Sequence, residues 1–166
     1  MCSSDLSNPS DIIVPSLVSA TLSTTNIDVG KPENRQIALT IDAKDDLSGF
    51  SNGAIRFKSP SGQFKNFYLS ADDYSGNYRS GTTLNGSFTD SISFDQFTEQ
   101  GLWSISSISL ADKAGNSRYI DSDFNAVLPG LASLAFQVSN SNTSPQPTPD
   151  SAPPSLTSAK IGRAHV

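Results

Sequence analysis

The sequence predicts an all-β fold, an antiparallel two-sheet β-sandwich of about seven strands. Short segments in which apolar and polar residues alternate recur along the chain, and this period of two is typical of half-buried strands. Clusters of Gly, Asn, Asp and Ser, which favour tight turns, separate these segments. Glu33 and Glu99 are the only glutamates, whereas Asp is abundant, so helix-favouring acids are scarce.

The elements follow in order from this alternation. The first strand is interrupted, because the apolar residues at 17–22 and 27–29 are separated by Ser, Thr and Asn. Ile37, Leu39 and Ile41 alternate with smaller or polar residues and define the clearest strand, at 36–42. The same reasoning predicts strands at 54–58, 63–69, 87–94, 102–110 and 133–138, and a helical turn within 124–131 that Pro129 and Gly130 interrupt.

The long strand at 102–110 requires a bulge. Trp103 and Ile105 have one phase of the alternation, whereas Ile108 and Leu110 have the other. A β-bulge near Ser106 and Ser107 places all four apolar side chains in the core. The predicted core consists of Leu39, Ile41, Ile55, Phe57, Ile92, Trp103, Ile105, Ile108, Phe136 and Val138.

The two ends of the chain, residues 1–6 and 161–166, can be encoded by one DNA string read in opposite directions. That string resembles the common adapter of short-read sequencing libraries. We therefore expect both ends to be non-native scars and exclude them from the reasoning about fold. The exclusion removes Met1, Cys2 and His165, the only Met, Cys and His of the chain.

Composition restricts the function classes. Without a thiol or an imidazole, we expect no Cys nucleophile, no His general base, no zinc site built on His or Cys, and no disulfide. Outside the excluded ends no His is present to activate any of the many serines as a nucleophile, so we expect no enzyme. The formal net charge of −5, without a basic cluster, argues against a nucleic-acid partner. No apolar run approaches the roughly 20 residues of a membrane helix, so we expect no membrane insertion.

Proline-rich segments divide the chain. Residues 140–154 contain five prolines and predict an extended spacer, and residues 7–12 resemble the end of a similar one. The segment DIIVPSLVSA at 11–20 returns as DSAPPSLTSA at 150–159, at an offset of 139, which indicates a second copy of the domain. The predicted organisation is scar 1–6, linker 7–12, domain 13–139, Pro-rich linker 140–153, start of a second repeat 154–160 and scar 161–166.

Five short motifs in this order resemble a known family. They are PSL at 15–17, AKDDLSG at 43–49, SPSG at 59–62, GLW at 101–103 and DKAGN at 112–116. Together they are similar to bacterial Ig-like, cadherin-like β-sandwich repeats of large exported surface and adhesin-like proteins. The resemblance implies an Ig-like fold, neighbouring Ig-like repeats as partners and an extracellular or cell-surface location.

Acidic loops predict a candidate Ca²⁺ site. Asp, Asn and Gly are concentrated at 42–53, 71–77 and 112–116, and clustered oxygen atoms are the ligands that hard cations prefer. Strand parity places these three loops at one end of the sandwich, where the opening strand also brings in Asp11. Ordinary turn chemistry is the alternative explanation of the same residues. The predicted ligands are Asp42, Asp45, Asp46, Asp112 and the carbonyl of Asn116.

We expect a non-catalytic spacer or adhesion module in a tandem-repeat exported bacterial protein, stiffened by Ca²⁺ in the manner that the cadherin-like resemblance implies. The alternative is a carbohydrate-binding accessory domain of a secreted hydrolase. Surface glycans or proteins are further expected partners. An exposed row of aromatic residues favours the alternative, and the candidates for such a row are Phe64, Phe67, Tyr68, Tyr74 and Tyr78. An enzyme would require paired carboxylates in a cleft.

Overall fold

The alternating apolar residues form strands throughout the computed structural model, which describes residues 10–72 and 78–142. Ten strands are present in these two ranges, joined by short turns and one helical turn. The strands are β1 (Ser16–Leu22), β2 (Asn26–Asp28), β3 (Gln36–Lys44), β4 (Phe50–Lys58), β5 (Phe64–Ser70), β6 (Tyr78–Gly81), β7 (Asn85–Ser93), β8 (Gly101–Asp112), β9 (Ser117–Ile120) and β10 (Ala135–Ser139). The helical turn is α1 (Phe124–Val127), and 3₁₀ turns lie at Pro32–Asn34 and Leu131–Ser133.

The strands form two sheets, as the all-β prediction requires. The first sheet has the order β1-β3-β7-β6. The second sheet has the order β2-β10-β8-β4-β5, and β9 also pairs with β8. Neighbouring strands are antiparallel except β10 and β2, which are parallel. The two parts of the interrupted first strand belong to different sheets, since β1 pairs with β3 whereas β2 pairs with β10.

Two strands were not predicted from the sequence. β6 and β9 contain four residues each and lack a clear apolar alternation. Each forms by antiparallel pairing with a longer strand, β6 with β7 and β9 with β8. Their presence therefore depends on the tertiary arrangement of the longer strands.

The predicted bulge in β8 is confirmed. Arg56 pairs with Ser107 and Phe57 pairs with Ile105, so the register skips Ser106. Ser107 and Ile108 are consequently both buried, although they are adjacent in the strand. The bulge thus brings the apolar residues on both sides of it to the same face.

The core between the sheets agrees with the predicted set. Nine of the ten predicted residues are buried, and Ile92 is partly buried against them. Trp103 is fully buried, and its indole ring stacks on Phe136 with the ring centroids 6.0 Å apart. The indole N–H donates a hydrogen bond of 3.0 Å to the carbonyl of Glu99, so the polar group of this core residue is satisfied.

The chain enters and leaves the sandwich at opposite ends. Ser16, where β1 begins, pairs with Lys44, where β3 ends, and the β3–β4 loop follows directly. Phe50, at the start of β4, pairs with Asp112 at the end of β8. We call this end the N-terminal pole. β10 runs the other way, with Val138 beside Gly101 at the start of β8, and the chain leaves there, at the C-terminal pole.

All strands of the described residues lie within the predicted domain 13–139. The predictions for residues 1–6, for most of the two linkers, for the second repeat and for 161–166 fall outside those residues. In the ranges 10–72 and 78–142, no helix has the length and apolar character needed to cross a membrane.

Candidate metal centre

Three carboxylates converge at the N-terminal pole. Oxygen atoms of Asp11, Asp45 and Asp112 all lie within 4.8 Å of one another. They come from three separate parts of the chain, namely the segment before β1, the β3–β4 loop and the end of β8. We call this group the acidic centre.

Asp45 is held by its own loop. Its Oδ2 accepts hydrogen bonds from the N–H groups of Leu47, at 3.2 Å, and Gly49, at 2.5 Å. Gly49 adopts a φ of 93°, which few residues other than glycine adopt readily. The other oxygen, Asp45 Oδ1, is buried and has no hydrogen-bond partner among the described residues. A buried acceptor without a partner is costly, so this atom has an unused capacity to bind a cation.

Asp112 is only 4% exposed and is fixed by the turn that follows β8. The main-chain N–H of Asn116 donates to Asp112 Oδ1 at 2.8 Å, and its side-chain amide donates to Oδ2 at 2.7 Å. In return, the N–H of Asp112 donates to the carbonyl of Asn116 at 3.0 Å. This carbonyl, predicted as a metal ligand, therefore already accepts a hydrogen bond within the turn.

Asp11 attaches the incoming chain to the acidic centre. Its Oδ2 accepts the N–H of Ser48 at 2.8 Å, and its Oδ1 accepts the N–H of Ile13 at 3.0 Å. Hydrogen bonding from the Ser48 side chain is the main cause that lowers the pKa of the Asp11 carboxyl below its usual value. Asp11 was not among the predicted ligands, although the strand count placed it at this end.

Two of the predicted ligands lie outside the acidic centre. Asp42 is on the outward face of the first sheet, where Ser19 Oγ donates to it at 2.6 Å and Ser87 Oγ donates to its other oxygen. These two hydroxyls lower the pKa of Asp42, with the Ser19 contribution the larger. Asp46 is exposed to solvent beside Asp45. Of the five predicted residues, the structure thus brings together Asp45, Asp112 and, through its hydrogen bonds, Asn116.

No basic side chain balances the acidic centre in the part of the chain that the structure describes. Among the described residues, the ion pair is between Lys31 and Asp28, at 3.8 Å, and it involves none of the three carboxylates. Like charges at such distances repel each other unless a cation or solvent intervenes. Carboxylate oxygens from three segments are ligands of the type that Ca²⁺ takes in proteins.

The candidate aromatic row is divided by the sandwich. Phe64 and Tyr68 point outwards and are 53% and 61% exposed, whereas Phe67 is fully buried in the core. Tyr74 and the side chain of Tyr78 lie outside the described residues. Tyr119, which sequence reasoning missed, is 64% exposed on β9.

Comparison with known proteins gives a family without an assigned activity. A family model described as "Domain of unknown function (DUF7035)" matches residues 10–145, which is most of the chain. The match covers every strand of the sandwich and all three residues of the acidic centre. No curated protein matches the chain.

Proposed function

Since the chain belongs to the DUF7035 family, we propose a function from the geometry of its acidic centre: a non-catalytic spacer or adhesion module of an exported tandem-repeat protein, stiffened by Ca²⁺. The observation that carries the proposal is the convergence of Asp11, Asp45 and Asp112 at the pole where the chain enters. The proposed ligands therefore include Asp11 and leave out Asp42 and Asp46.

The type of ligand supports Ca²⁺ rather than a transition metal. All three side chains offer oxygen, and hard cations prefer oxygen, whereas zinc and copper sites usually contain His or Cys. Asp45 Oδ1 supplies a buried, unpaired ligand atom. Ca²⁺ accepts flexible geometry and takes about six to eight oxygen ligands, so water and carbonyl groups would complete the shell that the three carboxylates begin.

The position of the acidic centre supports a stiffening role. Asp11 precedes the first strand, whereas Asp45 lies in the β3–β4 loop that joins the two sheets and Asp112 is the last residue of β8. One ion would therefore fasten the incoming segment to the body of the sandwich. The side-chain amide of Asn116 already joins the same parts by donating to the Asp11 carbonyl at 3.1 Å. Because entry and exit lie at opposite poles, modules fastened in this way would extend end to end.

A non-catalytic role agrees with the groups at hand. The described residues contain no His and no Cys, so nucleophilic and acid–base chemistry would depend on carboxylates alone. The carboxylates of the acidic centre lie at a pole, where Asp112 is only 4% exposed, and a surface hollow of about 400 Å³ near β8 is lined by one acid, Asp121. Paired-carboxylate hydrolysis would need two acids facing one cleft.

Calorimetric titration of the full chain tests the proposal. We expect Ca²⁺ to bind with a stoichiometry of one and to raise the melting temperature, because a ligand of the native state alone stabilises that state. Mg²⁺ at the same concentration should act more weakly, since it demands octahedral geometry and dehydrates reluctantly. The absence of both binding and stabilisation at millimolar Ca²⁺ would leave the acidic centre as ordinary turn structure.

We propose carbohydrate binding as a second candidate function. Exposed aromatic residues on one strand face favour it, since Phe64 and Tyr68 both point outwards from β5. An accessory domain of a secreted hydrolase would use such a face to hold a polysaccharide. Titration with saccharides, independent of Ca²⁺ binding, separates this candidate from the spacer.

A further inference from the structure

The outward side of the second sheet carries exposed aromatic and basic residues. The acids nearest to them lie at its margins: Asp90, whose Oδ2 accepts the main-chain N–H of Tyr68 at 2.7 Å, and Asp121 in the adjoining hollow. Strands β9, β8, β4 and β5 contain one acidic residue, Asp112, which is buried in the acidic centre. Arg56 and Lys58 are both exposed. The scarcity of acids is notable because acids exceed bases over the whole chain, by 16 to 11. We call the surface formed by Arg56, Lys58, Phe64, Tyr68 and Tyr119 the outer aromatic face.

Two tyrosines mark the sides of this face. Tyr68 on β5 pairs with Ala54 on β4, Ala54 with Ser109 on β8, and Ser109 with Tyr119 on β9. The four residues therefore form one row across the sheet, with small residues between the two exposed rings. Three strand spacings separate the tyrosine backbones, or about 14 Å. The row forms a shallow trough with aromatic sides.

The side chains along β5 are held in place by one another. The Arg56 guanidinium lies 5.2 Å from the centre of the Phe64 ring. Its Nε donates to Asn66 Oδ1 at 2.9 Å, and the Asn66 amide donates to the Tyr68 hydroxyl, also at 2.9 Å. Exposed side chains fixed before a ligand arrives lose less conformational entropy on binding. The arrangement is therefore suited to recognition.

A hollow adjoins the face towards the C-terminal pole. Its volume is about 400 Å³, and its lining includes Lys58, Leu102, Ser104, Ser106, Asp121 and Phe124. The lining combines an ammonium group, hydroxyls and apolar surface. Lys58 and Asp121 form no ion pair there, within the described residues, so both charges remain available to a ligand.

We propose that the outer aromatic face binds an acidic polysaccharide, an inference that rests on the second candidate function above. Aromatic rings pack against the apolar sides of sugar rings, and hydroxyl-bearing residues of the trough and hollow bond to sugar hydroxyls. Arg56 presents terminal N–H groups suited to the carboxylate of a uronic acid. Positive charge on an otherwise acidic domain selects an anionic chain over a neutral one.

The test uses the full chain and three probes: a hexamer of galacturonic acid, a neutral glucose hexamer and polyglutamate of similar charge. We expect the uronic acid hexamer to bind and its affinity to fall as salt is raised. Tyr68→Ala and Arg56→Gln should each weaken binding at least tenfold without changing the melting temperature. The matched controls are Phe97→Ala, an aromatic 71% exposed in the turn after β7, and Lys44→Gln, an exposed base at the N-terminal pole. Neither control should alter binding.

Each other outcome overturns the inference in a distinct way. Binding of the glucose hexamer with equal affinity would retain a carbohydrate function but reject selection by charge. Equal binding of polyglutamate would indicate an acidic protein partner instead. No binding of any probe would reject both the inference and the second candidate function, while the Ca²⁺ titration would still decide the spacer proposal separately.

Discussion

The side-chain amide of Asn116 donates a hydrogen bond of 3.1 Å to the main-chain carbonyl of Asp11, a residue 105 positions earlier. The same amide also donates to Asp112 Oδ2, so one side chain joins the entering segment to the end of β8. This contact fixes the direction of chain entry even without a metal ion. The turn at 112–116 therefore helps to hold Asp11 and Asp112 close together in the acidic centre.

Asn116→Ala should therefore loosen the entry of the chain. The substitution removes two side-chain hydrogen bonds, one of them to a buried carboxylate, and we expect a loss of about 2–3 kcal/mol in the free energy of unfolding. Urea denaturation measures this loss, and hydrogen exchange at Ile13 should become faster. Asn52→Ala, which removes an exposed amide bonded only locally to Ser51, is the control. Equal effects of the two substitutions would contradict the role of Asn116.

Asp45→Asn should abolish the thermal response to Ca²⁺. The substitution keeps an oxygen for the N–H groups of Leu47 and Gly49 but removes one of the three negative charges of the acidic centre. Saturating Ca²⁺ at about 100 times its dissociation constant should stabilise the wild type by about 2.7 kcal/mol and the variant hardly at all. Differential scanning calorimetry with Ca²⁺ or EDTA measures the difference. Without Ca²⁺, the variant should be as stable as the wild type or more so, since repulsion decreases.

Asp46→Asn provides the matched control for this comparison. It also removes one negative charge, but from the neighbouring side chain, which is exposed and lies outside the acidic centre. Its Ca²⁺ response should equal that of the wild type. Parallel loss of the response in both variants would indicate diffuse electrostatic attraction instead of a bound ion.

The fold followed from the sequence because its strands are long and their apolar faces are buried. Ile37, Leu39 and Ile41 repeat every second residue and all become fully buried, so periodicity alone located β3. The four residues of β9 have no such pattern. They form a strand because the edge of β8 is open for pairing in the folded sheet. Local sequence carries no signal for an edge that only the folded sheet creates.

The acidic centre was less predictable than the fold. Strand parity correctly assigned the Asp45 and Asp112 loops to one pole, because that depends only on the order and direction of strands. The direction of each side chain could not be predicted in the same way. Asp42 lies two residues before the end of β3, where the strand turns it towards Ser19 and Ser87 on the outward face. Asp11 belongs to the acidic centre because its carboxylate accepts the N–H of Ser48, which is 37 residues away, and no local sequence pattern predicts this hydrogen bond.

Gly49→Ala should disturb both the fold and the acidic centre. Gly49 has a φ of 93°, and an added methyl group would lie 2.8 Å from Thr83 Cβ. Gly115→Ala measures the free-energy cost of the left-handed backbone conformation alone. Gly115 has a φ of 95°, but no atom lies within 4 Å of the added methyl group. We expect about 1–2 kcal/mol for Gly115→Ala and about 1–3 kcal/mol more for Gly49→Ala.

Chemical denaturation of the two glycine variants measures these costs. Gly49→Ala should also weaken Ca²⁺ binding, since the N–H of Gly49 orients the Asp45 carboxylate. Gly115→Ala should leave Ca²⁺ binding closer to that of the wild type. Equal destabilisation by the two substitutions would mean that the Thr83 side chain moves aside without cost.

Glu99 should make stability depend on acidic pH. The Ser59 hydroxyl first, and then that of Ser61, lower the pKa of this carboxyl below its ordinary value of 4.5, so the folded state favours the charged form. The resulting stabilisation is complete above pH 4.5 and is lost as the pH falls through the lower pKa of the folded state. Glu99→Gln should therefore flatten the decline in melting temperature below that pH, although the other carboxyls with lowered pKa values keep part of it.

Trp103 offers a direct measurement of this effect. It is the only tryptophan of the chain, it is fully buried, and its indole N–H donates to the carbonyl of Glu99. Its fluorescence should report the acid transition of the wild type and a shallower one in Glu99→Gln. Glu33→Gln, at an exposed 3₁₀ turn, should follow the wild-type profile. If Glu99→Gln and the wild type lose stability in parallel as the pH falls, the serine hydrogen bonds contribute nothing to the charged state.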